Sequence, residues 1–566
     1  NVLQKLNGMN LSSGEKKRVF FVFLIAFAVC VPSLLWQNIP TRDSSLYALL
    51  SLEFSSGNFN NAFSPDLPPL LTTAGGAINH FIGRPFLSNQ IASILLFLPG
   101  VLGTYLLARE LKGPKIAYIA IILYAVCPYT IEPATSGGVD SGKLALLPWL
   151  VWATLRWCRD DYWVWGLAVG FIGGILSYAR GEGFLFSIFA FMVFAAYLFA
   201  KNSYKSIRPL VKPLGSLLIA GVTMAVVISP LVLYEYRQTG YVVTHPSQIR
   251  VYRFLDSMKS ALVGKARAAS SVEKNTEDAP SRHPANPQET QTTGQSIPWL
   301  KNIEKSFKGL YIPYLLLVLC AVVRHFSGAE SLSRRDLFPI LFIGLNFAIF
   351  FPTNICTARY FQALIPLHLH LAAVGFIAAG SALTHRSFFS QKQIKFSAIG
   401  SFVILALLAQ KECDMFKSNE KVGEAQALET MGEWIGNNRE KFPFYGALSN
   451  SRAFHNGRAP VILAPDFRIC YYASSDCVIL PRDEQVSPEW VFDFCKSNKV
   501  SLILYDDVLR NICPEFAQYW PNDPAFQALD IPNDFQLPDA QIRLLMFDLS
   551  KSQARPFSLP KYASNI

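Results

Sequence analysis

Apolar residues do not alternate along most of this chain; they continue in long blocks separated by short polar clusters. Blocks long enough, or nearly long enough, to cross a bilayer fall at about 19–36, 89–108, 114–131, 144–158, 162–179, 183–200, 214–234, 309–323, 337–351, 360–383 and 396–410. A spanning helix needs about 20 predominantly apolar residues, so the pattern predicts about 11 transmembrane helices. Beyond Gln410 the rhythm changes. Short apolar runs at Pro460 to Ala464, Cys477 to Leu480, Val500 to Tyr505 and Arg543 to Asp548 are separated by stretches with helical spacing, which predicts a small α/β unit. The fold class expected is therefore a mostly α membrane protein, with a transmembrane domain over 1–410 and a soluble, extracytoplasmic α/β domain over 411–566.

Charge sharpens this division. Only 16% of the 566 residues are charged, against about 25% in soluble proteins, and the shortage is confined to the first part. Residues 411–566 hold 16 basic and 21 acidic side chains, whereas the preceding 410 residues hold 35 and 19. The basic excess gathers beside the apolar blocks: Lys16, Lys17 and Arg18; Arg109, Lys112 and Lys115; Arg156 and Arg159; Lys201, Lys205, Arg208 and Lys212; Arg324, Arg334 and Arg335; Arg386, Lys392 and Lys395. Every second connection is basic, which places the N-terminus in the cytoplasm and the tail outside. Clusters at helix ends are not the continuous basic stripe of a nucleic-acid-binding surface, so nucleic acid is not expected as a partner. The first block, Val19 to Trp36, has no small-residue cleavage site after it and reads as an anchor rather than a signal peptide.

Three outward segments are long. Gln37 to Ser88 combines helical spacing at Leu46, Leu49, Leu50 and Phe54 with Pro65-Asp66-Leu67-Pro68-Pro69 and a further apolar run, which suggests surface or re-entrant helices. The segment of about 237–308 ends in a Ser/Thr/Asn/Pro/Gln-rich part that reads as flexible. The third is the tail. It carries five of the ten cysteines, Cys413, Cys470, Cys477, Cys495 and Cys513; outside the membrane some can pair, in a pattern that sequence does not fix.

The candidate chemistry lies on the outer side. Glu15, Glu110, Asp160, Asp161, Glu330 and Asp336 accompany the inner basic clusters and are expected to be solvated. Asp43, Glu53, Asp66, Glu132, Asp140, Glu182 and Glu235 lie near the outer ends of different helices or in the first outer loop, with Arg180 and Arg359 at the same level. Ionisable groups at membrane depth are costly and mark sites or pathways. A carboxylate can take a proton from an attacking hydroxyl, and guanidinium groups can hold a leaving phosphate by paired hydrogen bonds. No Walker motif or Gly-rich nucleotide loop is present, so a lipid-linked donor would carry its own activation.

Several short motifs support that reading together. Thr41-Arg42-Asp43-Ser44-Ser45-Leu46-Tyr47 follows the first block. Ser64-Pro65-Asp66-Leu67-Pro68-Pro69-Leu70 precedes the second, Glu132 to Asp140 lies in the second outer loop, and Tyr178-Ala179-Arg180-Gly181-Glu182-Gly183 and Arg359-Tyr360 with Pro366 come later. In this order the chain resembles the GT-C superfamily of membrane glycosyltransferases, particularly the protein O-mannosyltransferase and lipid A aminoarabinose transferase group. Met431-Gly432-Glu433-Trp434-Ile435 and Ser501-Leu502-Ile503-Leu504-Tyr505 are similar to the outer domain of bacterial members.

The resemblance implies a GT-C bundle whose catalytic element is the outer loop 37–88. It implies inverting transfer of a sugar from a polyprenyl-phosphate donor, in a bacterial cytoplasmic membrane, to a glycan, lipid or protein acceptor. Asp43 would be the base and Asp140 its assistant. Arg180, Arg359 and Tyr360 would hold the donor phosphate, with Asp66, Glu182, Glu132 and Arg42 in support. It leaves a divalent metal near Asp66 open and implies no other cofactor. Leu67 stands where the family has lysine, Gly181 where it has proline, and Ser44 where many members have a second acid.

Other readings coexist with these. Asp43 could cap a helix starting at Ser44, Asp140 could be a turn residue, and Arg359 could be a headgroup anchor. His368 and His370, two apart on a helix, face different directions and do not suggest a metal site. A lipid or glycan transporter, or a non-catalytic envelope assembly protein, are the competing functions; a transporter would predict inverted repeats, and none is evident.

Overall fold

The computed structural model describes residues 11–36, 40–63, 67–160, 162–201, 211–240, 243, 298–326, 333–350, 358–385, 419–443, 460–464, 467–478, 486–529, 543–548 and 551. Its first part is helical: α1 (Ser13–Trp36), α2 (Arg42–Ser55), α3 (Phe59–Ala62), α4 (Pro69–Ile82), α5 (Pro85–Lys112), α6 (Pro114–Val126), α7 (Pro128–Thr135), α8 (Asp140–Asp160), α9 (Trp163–Ala179), α10 (Gly183–Lys201), α11 (Val211–Thr239), α12 (Pro298–Gly309), α13 (Ile312–Phe326), α14 (Phe338–Phe350), α15 (Arg359–Gln362) and α16 (Ile365–His385). Ten of the eleven apolar blocks fall on these helices; the eleventh, 396–410, lies outside the described residues. Among the described residues three helices, Pro85–Lys112, Gly183–Ala200 and Lys212–Arg237, are long and apolar enough to cross a membrane alone. Two more spans arise if each bent pair, Pro114–Val126 with Pro128–Thr135 and Asn302–Gly309 with Ile312–Phe326, counts as one. The expected flexible loop lies largely outside the described residues, and its end is the helix α12.

Lipid offers no hydrophobic drive for helices to associate, so close packing and small residues hold them together. Helix α9 shows the device. Added Cβ atoms at Gly166, Gly170 and Gly174 would lie 2.7, 2.3 and 2.5 Å from Ser216, Ala220 and Val227 of α11, so the two backbones approach as far as glycine permits. Next to this seam Trp157 stacks on Phe194 at 3.7 Å and donates its indole N–H to Ser216 Oγ at 2.7 Å.

Of the acids expected to be solvated beside the basic clusters, Glu15, Glu110, Asp160 and Asp336 are paired, while Asp161 and Glu330 lie outside the described residues. Asp336 is 0% exposed and meets Lys112 at 2.8 Å. Glu15 meets Arg109 at 2.9 Å, and Glu110 pairs with Arg156 and Arg159. The pairings of Asp336, Glu15 and Glu110 each join two helix ends, so these charges also tie the bundle together.

Residues 419–551 include α17 (Asn419–Asn437), β1 (Val461–Leu463), α18 (Phe467–Ala473), β2 (Asp476–Val478), α19 (Pro488–Ser497), β3 (Leu502–Tyr505), α20 (Asp507–Ile512), α21 (Phe516–Tyr519), β4 (Phe526–Ala528) and β5 (Arg543–Phe547). The strands form one sheet in the order β2-β1-β3-β5-β4, with β1 parallel to β2 and β3, and β5 antiparallel to β3 and β4. The four apolar runs read as strands overlap β1, β2, β3 and β5, residues 479 and 480 of the second lying outside the described residues. Helices cover both faces, which is why the central strands β1 and β3 are apolar at every position. Val461, Leu463, Ile503, Tyr505, Leu545 and Phe547 face α19 and α20, whereas Ile462, Leu502, Leu504 and Leu544 face α17 and α18. Cys470 and Cys477 form a disulfide joining α18 to β2, and Cys495 and Cys513 are buried thiols.

Candidate active site

The segment after α1 begins with a capped helix. Thr41 is in an extended conformation and its side chain accepts the Ser44 N–H at 3.2 Å, so Thr41, not Asp43, is the cap. Asp43 therefore lies within the first turn of α2, half exposed and free of capping duty. Ser44 Oγ donates to the Ser136 carbonyl at 2.6 Å and ties this turn to the one between α7 and α8. There Gly137, at φ +66°, makes the left-handed turn that precedes Asp140 at the start of α8.

The third turn joins α9 to α10. Arg180 leaves α9 with an extended backbone, and the chain re-enters helix at Gly183, where a Cβ would stand 2.2 Å from the Leu176 carbonyl oxygen. Glycine is required by that close approach. The fourth turn is the single helical turn α15, carrying Arg359 and Tyr360; its N-cap, Ala358, packs against Gly309 at the end of α12.

Side chains from the four turns meet in one line of alternating charge. Arg359 Nη1 contacts Asp43 Oδ2 at 2.5 Å and its Nε contacts Asp140 Oδ2 at 2.6 Å. Arg180 Nη1 contacts the other Asp140 oxygen at 3.3 Å, and its Nε contacts Glu182 Oε1 at 3.3 Å. The line ends at Lys143, whose Nζ lies 3.1 Å from Glu182 Oε1. Three carboxylates thus balance three cations, with Asp43 and Arg359 at the accessible end, 51% and 43% exposed, and Lys143, 1% exposed, at the closed end. The Tyr360 ring stacks on Phe350 at 4.4 Å and lies 5.2 Å from the Arg180 guanidinium.

Environment reinforces these charges. Burial works against ionising Glu182, but Arg180 and Lys143 outweigh it and hold the carboxyl far below the usual carboxylate range. Burial likewise opposes charge on Arg180, and Asp140 and Glu182 overcome it, keeping the guanidinium protonated. Tyr47, one turn along α2 from Asp43, is buried within the field of Arg180, Asp43, Arg359 and Asp140; burial raises its phenol above the usual value.

Of the residues singled out from sequence, Asp43, Asp140, Arg180, Glu182, Arg359 and Tyr360 come together. Glu132 lies beside them, half-buried, accepting a hydrogen bond from Gln362 Nε2 at 3.2 Å. Arg42 begins the same helix as Asp43, whose ion pair is with Arg359. Asp66 lies outside the described residues. Among the described residues no group of three or more His, Cys, Asp or Glu side chains could hold a metal ion, and the clustered carboxylates face guanidinium groups. His370 Nε2 lies 3.3 Å from the Asp336 carbonyl oxygen, and neither residue contacts the charge line.

Lys143, Asn346, Tyr47 and Gln362 were not anticipated as members or neighbours of the site. A signal for Lys143 existed, since an ionisable residue opening an apolar block invites a functional reading.

Comparison with known proteins bears on this arrangement. Residues 66–234 match the family model described as dolichyl-phosphate-mannose-protein mannosyltransferase. No curated protein sequence matches the chain. ArnT from Cupriavidus metallidurans in the apo state is 13% identical with a TM-score of 0.56, over 96% of this chain and 100% of that one. ArnT from the same organism bound to undecaprenyl phosphate is likewise 13% identical with a TM-score of 0.56, over 93% and 97%. The apo oligosaccharyltransferase of Archaeoglobus fulgidus is 14% identical with a TM-score of 0.49, over 87% and 69%. The chain thus shares the fold of the GT-C membrane glycosyltransferases, and its segment 66–234 carries the sequence pattern of one of their families.

Proposed function

We propose that the chain transfers a sugar from a polyprenyl-phosphate donor to an acceptor hydroxyl on the outer side of the membrane, with inversion at the anomeric carbon. The observation that carries this reading is the double engagement of Arg359, which holds both Asp43 and Asp140 at the accessible end of the charge line. An arriving donor phosphate competes with Asp43 for that guanidinium, since both are oxyanions suited to the same paired hydrogen bonds. Once Arg359 turns to phosphate, Asp43 is released as a base. The acceptor oxygen then forms its bond to the anomeric carbon and its proton passes to Asp43. The bond from that carbon to the phosphate oxygen breaks, and the electron pair leaves on the polyprenyl phosphate. Charge grows on the leaving phosphate in the transition state, where Arg359 and Arg180 stabilise it most. Asp140 keeps the two guanidiniums together, and Tyr360 supports Arg180 through its ring.

In this reading residues 1–410 form the transmembrane catalytic domain, with the N-terminus cytoplasmic, and residues 411–566 form an outer domain that docks the acceptor. The basic clusters support that orientation. A bacterial cytoplasmic membrane is the setting, with undecaprenyl-type donors the natural class, since the similar ArnT was seen with undecaprenyl phosphate.

The test is donor consumption by the purified chain with a panel of polyprenyl-phosphate sugars, scored by mass spectrometry. The parent should release polyprenyl phosphate, and Asp43→Asn should lose about 10²- to 10⁴-fold in kcat, the usual contribution of a positioned base. Equal rates in a folded Asp43→Asn protein would remove Asp43 from that role, and an inert parent would sink the transferase reading.

A further inference from the structure

The closed end of the charge line has chemistry of its own. Lys143 Nζ has three oxygen partners: Glu182 Oε1 at 3.1 Å, Asn346 Oδ1 at 3.2 Å and the Tyr360 carbonyl at 3.5 Å. It also lies over the faces of Phe186 and Phe350, at 5.1 and 5.9 Å. At 1% exposure it offers no surface to a donor, so any part it plays passes through its partners. Two of those partners belong to the two arginine-bearing turns, and Asn346 lies on α14. Glu182 Oε1 is the same oxygen that Arg180 Nε engages, and the Tyr360 carbonyl belongs to the residue after Arg359. Asn346 Nδ2 also donates toward that carbonyl, at 3.4 Å.

We propose that Lys143 is a positioning residue of the transfer site, holding the Arg180 and Arg359 turns in register and neutralising Glu182 so that Arg180 stays with Asp140 and the donor phosphate. The inference rests on the transferase reading above and adds a residue that never touches substrate. Its logic is electrostatic. Without Lys143, Glu182 keeps one cationic partner, and a buried carboxylate with one partner draws that partner closer. Arg180 then moves from Asp140 toward Glu182, and the phosphate site loses a cation at the right distance. Removing the Glu182 charge as well should relieve the pull.

The experiment measures kcat and both KM values for the full-length parent, Lys143→Met, Glu182→Gln and the double variant, with unfolding temperature recorded for each. Lys143→Met should lose about 100-fold in kcat per folded molecule, with acceptor KM changed less than about threefold. The double variant should recover at least about tenfold over Lys143→Met, the non-additivity expected of coupled neighbours. If Lys143→Met does not fold, Lys143→Gln decides, since its amide can still bond the Tyr360 carbonyl while the charge is gone; it should show the same loss and the same relief by Glu182→Gln. With an active parent, a kcat within about twofold of parent in the folded lysine variant, or losses that simply multiply in the double variant, would overturn the role of Lys143 alone. An inert parent would overturn the transferase reading and this inference together.

Discussion

Asp140 receives two guanidinium groups on its two oxygens, Arg180 at 3.3 Å and Arg359 at 2.6 Å, while Glu182 concentrates Arg180 and Lys143 on one oxygen. The two acids therefore do different work. Glu182, enclosed and doubly paired, has its carboxyl far below the ordinary value of 4.5. A carboxyl depressed in the folded state contributes stability that is complete above its unfolded value and is lost as pH falls toward the folded one. The unfolding temperature of Glu182→Gln should thus lie below that of the parent by a constant margin between about pH 5 and 8, and the margin should shrink below about pH 4.5. Thermal unfolding in detergent across that range checks this; a margin that varies between pH 5 and 8 would contradict the assigned shift. The identities of Asp43, Asp140, Arg180, Glu182 and Arg359 were legible because topology placed all five at one level. Their pairings were not, since Asp43 finds its partner 316 positions along the chain, and Lys143 stands just before the apolar block 144–158 with nothing in the sequence to mark its partners.

At the level of elements, hydrophobic runs translate well into helices, because a run of apolar residues with no polar alternative has few other ways to satisfy its backbone in lipid. What runs do not reveal is which face meets which neighbour. The spacing Gly166, Gly170, Gly174 on α9 marks such a face, four residues apart and so on one side of the helix, and the structure fills that side with α11. Gly170 is the tightest point, where an added Cβ would stand 2.3 Å from the Ala220 carbonyl oxygen. Gly170→Val should therefore destabilise the bundle by about 1–3 kcal/mol, the usual effect of overpacking, and lower the yield of folded protein. Leu167, on the exposed side of the same helix, provides the control: Leu167→Ala should leave unfolding temperature nearly unchanged. Equal behaviour of the two variants would mean that the α9–α11 seam does not limit stability. The short strand Phe526–Ala528 was missed for a related reason. It offers three residues, two of them exposed at the sheet edge, too few for a periodic signal, and only its pairing with β5 defines it.

Across the whole molecule the decisive contact joins the two parts. Helix α18, from residues 419–551, packs against α2, the helix that carries Asp43, and Tyr471 on α18 hydrogen-bonds the backbone at Phe86. Helix α18 is itself fixed from behind: Gly432 of α17 approaches it so closely that a Cβ would meet Tyr472 Cβ at 2.6 Å and the Ile469 carbonyl oxygen at 2.7 Å. The sheet, α17, α18 and α2 thus form a continuous packed path from the tail to the accessible end of the charge line. In the proposed reaction an acceptor approaching Asp43 would meet this junction, whereas a donor bound through its lipid would enter from the membrane side. The two substrates should therefore respond differently to loss of the tail. Deleting residues 411–566 should raise acceptor KM by about tenfold or more, an effect of about 1.4 kcal/mol in binding, while slow hydrolysis of the donor by water continues. Measuring both rates on a truncated protein that retains its helical circular dichroism separates the contributions. Unchanged acceptor KM would place acceptor recognition wholly within the first 410 residues, and parallel loss of both rates would assign the tail to holding α2 in place.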